Sequence, residues 1–292
     1  MSEKSSMLCP ECHQLISSYV SECPHCGLKS PARKKRFLGL LGGNQRSFVR
    51  MIITLNIGFF IASFLIPLII PLQGRFMNTS FGLLPSPNNQ ALALMGWAEI
   101  GQLMQGNWWI LITAMFLHGG VLHILFNMLW VRDLAPQTEI LFSPHKMVII
   151  YVLSGIGGNL AALYTPIIAR SVLMIPMNSY PVVGASGAVF GLIGAIIAFG
   201  RKRGGLWGRQ IARQLGMWAA ILIAMGFIFP GISNAGHIGG FVSGYLIGRF
   251  LPLQSKAGSN KIYVVIASGL ILLCGYAFFQ MITRILYIMS HV

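Results

Sequence analysis

Residues 184–200 read Gly-Ala-Ser-Gly-Ala-Val-Phe-Gly-Leu-Ile-Gly-Ala-Ile-Ile-Ala-Phe-Gly, a run with no charge, five glycines and one hydroxyl, that of Ser186. It is apolar enough for a membrane yet short of the ~20 residues a helix needs to cross one. Gly187, Gly191 and Ala195 recur every four positions, so they line one helix face and let a neighbouring backbone approach closely. A short, glycine-interrupted helix of this kind belongs in the interior of a membrane bundle, where functional groups gather.

The rest of the chain supplies that bundle. Of its 292 residues 55% are hydrophobic and only 9% charged, with a mean hydropathy of +0.70. Soluble domains carry about 25% charged residues, so a soluble globular fold is excluded. Apolar runs at 51–72, 108–131, 146–168, 184–200, 212–229, 235–251 and 262–283 predict seven spans and an all-α polytopic membrane protein. With these spans alternating in direction, 18 of the 21 Lys and Arg residues fall on one side. That bias places the amino terminus in the cytoplasm and the carboxy terminus outside, in a multi-pass cell membrane protein. The first strong apolar run begins at Met51, too late for a cleavable signal peptide, so the amino-terminal module is expected to stay where it is made. The net charge of +15 is read as orientation and contact with anionic lipid; no aromatic residues interleave with the basic ones, so no nucleic-acid partner is expected. The segments divide as 1–30, a small cysteine module; 31–50, a basic linker; 51–251, a six-helix core; and 252–292, a connection and seventh span. The connection 73–107, with Pro85, Pro87 and Trp97, is nearly free of charge and leads into Trp108 and Trp109, as suits the headgroup zone.

The cysteine module holds Cys9-Pro-Glu-Cys12 and Cys23-Pro-His-Cys26, two knuckles ten residues apart. Four thiolates at this spacing complete a closed tetrahedral site and predict a structural Zn2+ ribbon, with an unidentified partner. Two disulfides would require an oxidising compartment, and a redox CxxC a βαβ context that is absent here. His13 and His25 are solvated knuckle residues in this reading. A segment so small folds on metal binding rather than apolar burial.

Within the spans, His123 and Asn127 lie four residues apart on one face of span two. Span four opens on Gly184-Ala185-Ser186-Gly187, and span six on Gly236-His237-Ile238-Gly239-Gly240. All three spans run the same way, so these polar groups share one depth. Taken singly, a GxSG is more often a helix contact than a nucleophile, and an isolated histidine can be a packing hydrogen bond. Together, a serine, a histidine and an amide at one depth are the parts of acyl transfer. Asp133 and Glu139 map to the opposite end of span two, which favours a Ser-His dyad over a triad. Gly236, Gly240, Gly244 and Gly248 form a second small-residue stripe that would pack against the one in span four and bring Ser186 and His237 together.

The GxSG of span four, the Gly236-His237…Gly240…Gly244 pattern and the string His118-Gly-Gly-Val-Leu-His123-Ile-Leu-Phe-Asn127 together resemble the rhomboid family of intramembrane serine proteases, over residues 51–251. The resemblance implies an endopeptidase cutting the transmembrane segments of other membrane proteins, without a catalytic cofactor. It assigns Ser186 as nucleophile and His237 as general base. His123, Asn127 and the Ser186 main-chain N–H would form the oxyanion hole beside Gly184, and Phe190 would pack on the catalytic imidazole. Gly240 and Gly244 would support the contact, and His118 would serve structure or water access. The chain departs from the family pattern at Trp108-Trp109-Ile110, where many members have Trp-Arg, and at Ala135 and Ser143, where glycines are usual beside the acidic Glu139. Two other readings are a catalytically silent relative that binds membrane clients and a transporter; the latter predicts more charged residues in the spans and repeat symmetry.

Overall fold

The computed structural model describes residues 6–9, 11, 12, 14–32, 47–70, 72, 77, 78, 85–229, 231–252 and 261–291. His13, most of the 31–50 linker and residues 253–260 lie outside the described residues. Strands β1 (Ser6–Leu8) and β2 (Leu15–Ser17) pair antiparallel with Met7 opposite Ile16, and β3 (Met77–Asn78) pairs with β4 (Pro85–Ser86). The first long helix is α1 (Ser47–Ile69). Three short helices follow: α2 (Asn89–Leu94), α3 (Ile100–Met104) and α4 (Ile110–Thr113), the last continued by a 3-10 turn at Ala114–Phe116. The remaining long helices are α5 (Val121–Phe142), α6 (Pro144–Ser171), α7 (Ser186–Arg203), α8 (Gly205–Ile228), α9 (Asn234–Phe250) and α10 (Lys261–Met289).

Local chemistry sets these boundaries. Asn88 Oδ1 accepts from the Gln90 and Ala91 amides and caps α2. Pro144 opens α6, where its missing N–H costs nothing, and the Ser233 hydroxyl accepts from the Gly236 amide to start α9. Ser143, between α5 and α6, sits at φ 110, ψ 158, a region suited to glycine.

Helix α7 is the centre of the bundle. Every residue from Ala188 to Gly200 is buried, and it packs against α9, α6, α8 and α5. Around it lie the other long helices, of which α1, α8 and α10 are mostly exposed and α6 mostly buried. Among the described residues, α1, α6, α8 and α10 are long and apolar enough to span a membrane. A fifth span is counted if α4 with its 3-10 turn and α5 are taken together. α9 has 17 residues and α7 ends in Arg201, Lys202 and Arg203, so neither makes a full crossing by length and composition, in keeping with the short runs at 184–200 and 235–251 in the sequence. The physical reason is position: a helix enclosed by other helices needs small contacts more than apolar length.

Span two differs from expectation. Instead of running unbroken over 108–131, it bends by 94° between Phe116 and Val121, and its main helix continues to Phe142. The Gly119 amide bonds the His123 ring rather than extending a helix from α4, and Gly119-Gly120 carry the turn. From Pro85 onward the connection before it carries short helices and a bridge to the serine turn: the Ala98 and Val182 amides each donate to the other's carbonyl, at 2.9 and 2.8 Å. At the opposite end of the bundle, the buried Lys146 ammonium donates to the Pro252 carbonyl at 2.9 Å and lies 4.5 Å from the Tyr263 ring centroid.

Candidate active site

Ser186 is the first residue of α7, half-buried at the end where the first N–H groups of a helix have no partner within it. Gly184, two residues earlier, has φ +124, and a Cβ there would stand 2.7 Å from His123 Nε2 and 3.8 Å from Ser186 Oγ. The tight turn before the helix thus needs glycine twice over, for its dihedral and for the imidazole against it. The Gly119 amide donates to His123 Nδ1 at 3.3 Å, so the ring's proton sits on Nε2, the nitrogen facing Gly184. Asn127, one turn further along α5, is buried and donates through Nδ2 to the His123 carbonyl at 2.9 Å, leaving its second amide hydrogen for another acceptor. The buried His118 packs edge-on against His123 with ring centroids 5.0 Å apart.

His237 lies in the first turn of α9, buried, its ring stacked on Phe190 at 4.3 Å and 16°. Phe190 is one turn below Ser186 on α7, so the imidazole stands over the face of α7 that begins at the serine. Among the described residues no hydrogen bond joins the Ser186 hydroxyl to His237, whose Nδ1 is buried without a partner. Catalytic hydrogen bonds are often open without substrate and tighten when it binds. The approach of the two helices is set by main-chain contact. A Cβ on Gly240 would meet the Gly187 carbonyl carbon at 2.7 Å and its Cα at 2.9 Å, and a Cβ on Gly244 would meet Gly191 in the same way.

Several contributors have no marking in the sequence pattern described above. Helix α6 wedges against both site helices: a Cβ on Gly158 would meet the Gly236 carbonyl oxygen at 2.8 Å and the Gly187 Cα at 3.1 Å. Asn159, buried beside it, donates to the Leu111 carbonyl at 2.9 Å. The Gly184 amide donates to the Ala114 carbonyl at 2.8 Å, tying the turn before Ser186 to the connection that follows α4. The small-residue string Ser154-Gly155-Ile156-Gly157-Gly158-Asn159 is the signal that could have found α6; the backbone bonds leave none.

The four cysteines of the amino-terminal module come together. Their sulfurs all lie within 4.8 Å of one another, with Cys9–Cys26 and Cys12–Cys23 each at 3.7 Å. A disulfide would need about 2.05 Å. The edge of a tetrahedron with metal–sulfur bonds of about 2.3 Å is about 3.8 Å, so the cluster fits a single tetrahedral ion. Desolvation opposes ionisation of Cys23, yet main-chain N–H groups of His25 and Cys26 bring its thiol down to about 7. Burial and the neighbouring sulfurs push Cys26 up to about 12. His25 is exposed and is not part of the cluster.

A family model described as a rhomboid domain matches residues 105–254. Rhomboid protease GluP of Bacillus subtilis (strain 168) is 31% identical over 174 residues, which are 60% of this chain and 32% of GluP. RHOMBOID-like protein 4 of Arabidopsis thaliana is 31% identical over 186 residues, 63% of this chain and 44% of that protein. YdcA of Bacillus subtilis (strain 168), also named for rhomboid proteases, is 34% identical over 151 residues, 52% of this chain and 70% of its own length. The chain thus spans about a third of GluP and under half of the Arabidopsis protein.

Proposed function

Because the chain belongs to the rhomboid family, whose members are generally intramembrane serine proteases, we propose that it hydrolyses peptide bonds in the transmembrane segments of other proteins through a Ser186–His237 dyad. Ser186 Oγ attacks the scissile carbonyl carbon while His237 takes the hydroxyl proton. The tetrahedral oxyanion then faces the His123 Nε2–H, the free Asn127 amide hydrogen and the Ser186 main-chain N–H, at the positive end of α7. Collapse breaks the C–N bond and His237 returns the proton to the leaving amine. Water activated by the same imidazole hydrolyses the acyl-enzyme. Substrate spans need an upper half that unwinds easily, with Gly, Pro or small residues near the cut, since a regular helix hides its carbonyls in its own hydrogen bonds.

The observation that carries this reading is the hydrogen bond from the Gly119 amide to His123 Nδ1: with Nδ1 accepting, the ring's hydrogen falls on Nε2, which faces Gly184 in the turn that leads into Ser186. A second reading is a client-binding protein without catalysis. Reconstituted protein, a single-span substrate with a Gly-Ala-containing upper half and a fluorophosphonate probe separate the two. The protease reading expects cleavage and probe labelling that vanish in Ser186→Ala and His237→Ala; folded wild type that neither labels nor cuts would overturn it and leave the second reading to be tested by capture of membrane clients.

The bias of Lys and Arg supports an amino terminus in the cytoplasm and a site opening to the outer side. For the thiolate cluster we favour Zn2+, on its ligand chemistry and closed tetrahedral geometry. Purified protein is expected to hold one zinc per chain, lost in Cys9→Ser.

A further inference from the structure

Helix α10 lies at the margin of the bundle, and most of its surface faces outward. Its inward stripe is Ala267, Cys274, Ala277 and Met281, with the Phe278 ring tilted against Phe59 and edge-on to Phe116. Near the end closest to Ser186 it carries Arg284, half-buried. This guanidinium donates through a short hydrogen bond to Gln102 Oε1 on α3 and lies 5.8 Å from the Trp109 ring centroid. On the same segment, Glu99 accepts the Trp97 indole N–H at 3.1 Å. One turn-pair earlier Tyr276 stacks on Trp108. From Pro85 to Gly120 the chain has no Lys or Arg of its own, so among the described residues Arg284 is the cation that joins this segment.

The segment it grips is the one that holds the serine turn. Within 97–117, Ala98 exchanges two main-chain hydrogen bonds with Val182, Ala114 accepts from Gly184, and Leu111 accepts from Asn159. Three of these four bonds end within four residues of Ser186. A bidentate-capable cation bonded to an amide carbonyl and facing an aromatic ring in a half-buried setting is a strong tether. The chain of contacts therefore runs from α10 through Arg284 to Gln102 and Trp109, then through Ala98 and Ala114 to Val182 and Gly184.

We propose that Arg284 is a positioning residue: it docks α10 onto the 97–117 segment and thereby holds the backbone turn that presents Ser186. The inference rests on the protease reading only for its catalytic consequence. It makes the last helix part of the working site rather than an appendage to a complete core.

The test compares wild type with Arg284→Ala, Arg284→Lys and Gln102→Ala in liposomes, by hydrogen exchange and by cleavage kinetics. In Arg284→Ala, exchange at the Ala98, Val182 and Gly184 amides is expected to rise about tenfold, the loss of one charge-assisted bond, while amides of β1, β2 and mid-α7 stay unchanged. kcat is expected to fall by a similar factor with KM within about twofold, because the nucleophile and not the docking surface is displaced. Arg284→Lys, which keeps the charge but not the planar fork, should recover part of both effects, and Gln102→Ala should reproduce them more weakly. Unchanged exchange at Val182 and Gly184 in folded Arg284→Ala overturns the proposal. If wild type cuts nothing while exchange still rises at those amides, the tether stands and the protease reading fails.

Discussion

Replacing Gly240 by alanine puts one methyl group where the main chain of α7 already is. The added Cβ would lie 2.7 Å from the Gly187 carbonyl carbon and 2.9 Å from its Cα, with the carbonyl oxygen nearer still. Ordinary contact begins near 3.4 Å, so α7 and α9 must part by at least about 0.7 Å, and no side chain can rotate away because the obstacle is backbone. Overpacking of this kind costs about 1–3 kcal/mol. Gly187 follows Ser186 and Gly240 lies one turn from His237, so the separation falls on the proposed dyad, where a displacement near 1 Å can cost about a hundredfold in rate. Gly269→Ala and Gly275→Ala on α10, where a Cβ meets nothing within 4 Å, are the controls and should leave cleavage at the wild-type rate with a midpoint unchanged or slightly raised. The assays are thermal unfolding in detergent and kcat/KM on a single-span substrate in liposomes. Gly240→Ala should lower the midpoint and reduce cleavage at least tenfold, to about the 1.4 kcal/mol that a tenfold loss represents. Cleavage at the wild-type rate, with or without a lower midpoint, would refute the claim that this contact sets the dyad geometry.

Other perturbations probe separate parts. His123→Ala and Asn127→Ala should each lower kcat by about 10²–10³ with little change in KM, as for loss of an oxyanion donor, measured under substrate saturation. Ser143→Gly should raise stability by about 1 kcal/mol, because φ 110 with ψ 158 strains a serine; a lowered unfolding midpoint would contradict the strain. Chelation, or Cys9→Ser with Cys26→Ser, should unfold the amino-terminal module, read as collapse of its amide dispersion in NMR spectra, while fluorophosphonate labelling of Ser186 persists. Phe190→Ala should cost about 0.5–1.5 kcal/mol in transition-state stabilisation by freeing the His237 ring, read as kcat/KM.

The candidate site stood out in the sequence for a physical reason that does not extend to its scaffold. Polar groups are expensive in an apolar helix, so Ser186, His123, Asn127 and His237 are visible against their background, and the glycine stripes on spans four and six mark a close contact by their period. The break at Leu117–Gly120 was invisible because apolar residues continue on both sides of it, and a window of hydropathy has no term for a 94° bend. Helices α2 and α3 do not stand out within the 73–107 connection because five or six residues carry too little period to register. Ser143 shows the reverse case: a departure from the family's usual glycine, noted on sequence alone, falls at a φ of 110 that asks for glycine.

The least legible parts are those that fix the serine turn. Ala98 with Val182 and Ala114 with Gly184 hold it through main-chain groups, which every residue but proline possesses, so no choice of side chain announces them. What the side chains do announce is the need for such support. Gly184 cannot be replaced without striking His123, and a turn with so little steric freedom of its own must be fixed from outside. The segment that fixes it has no cation and borrows Arg284 from the far end of the chain. A site assembled from α5, α7 and α9 is therefore sensitive to substitutions in α10 and the 97–117 segment that never touch a reacting atom, and these should fall in kcat rather than KM.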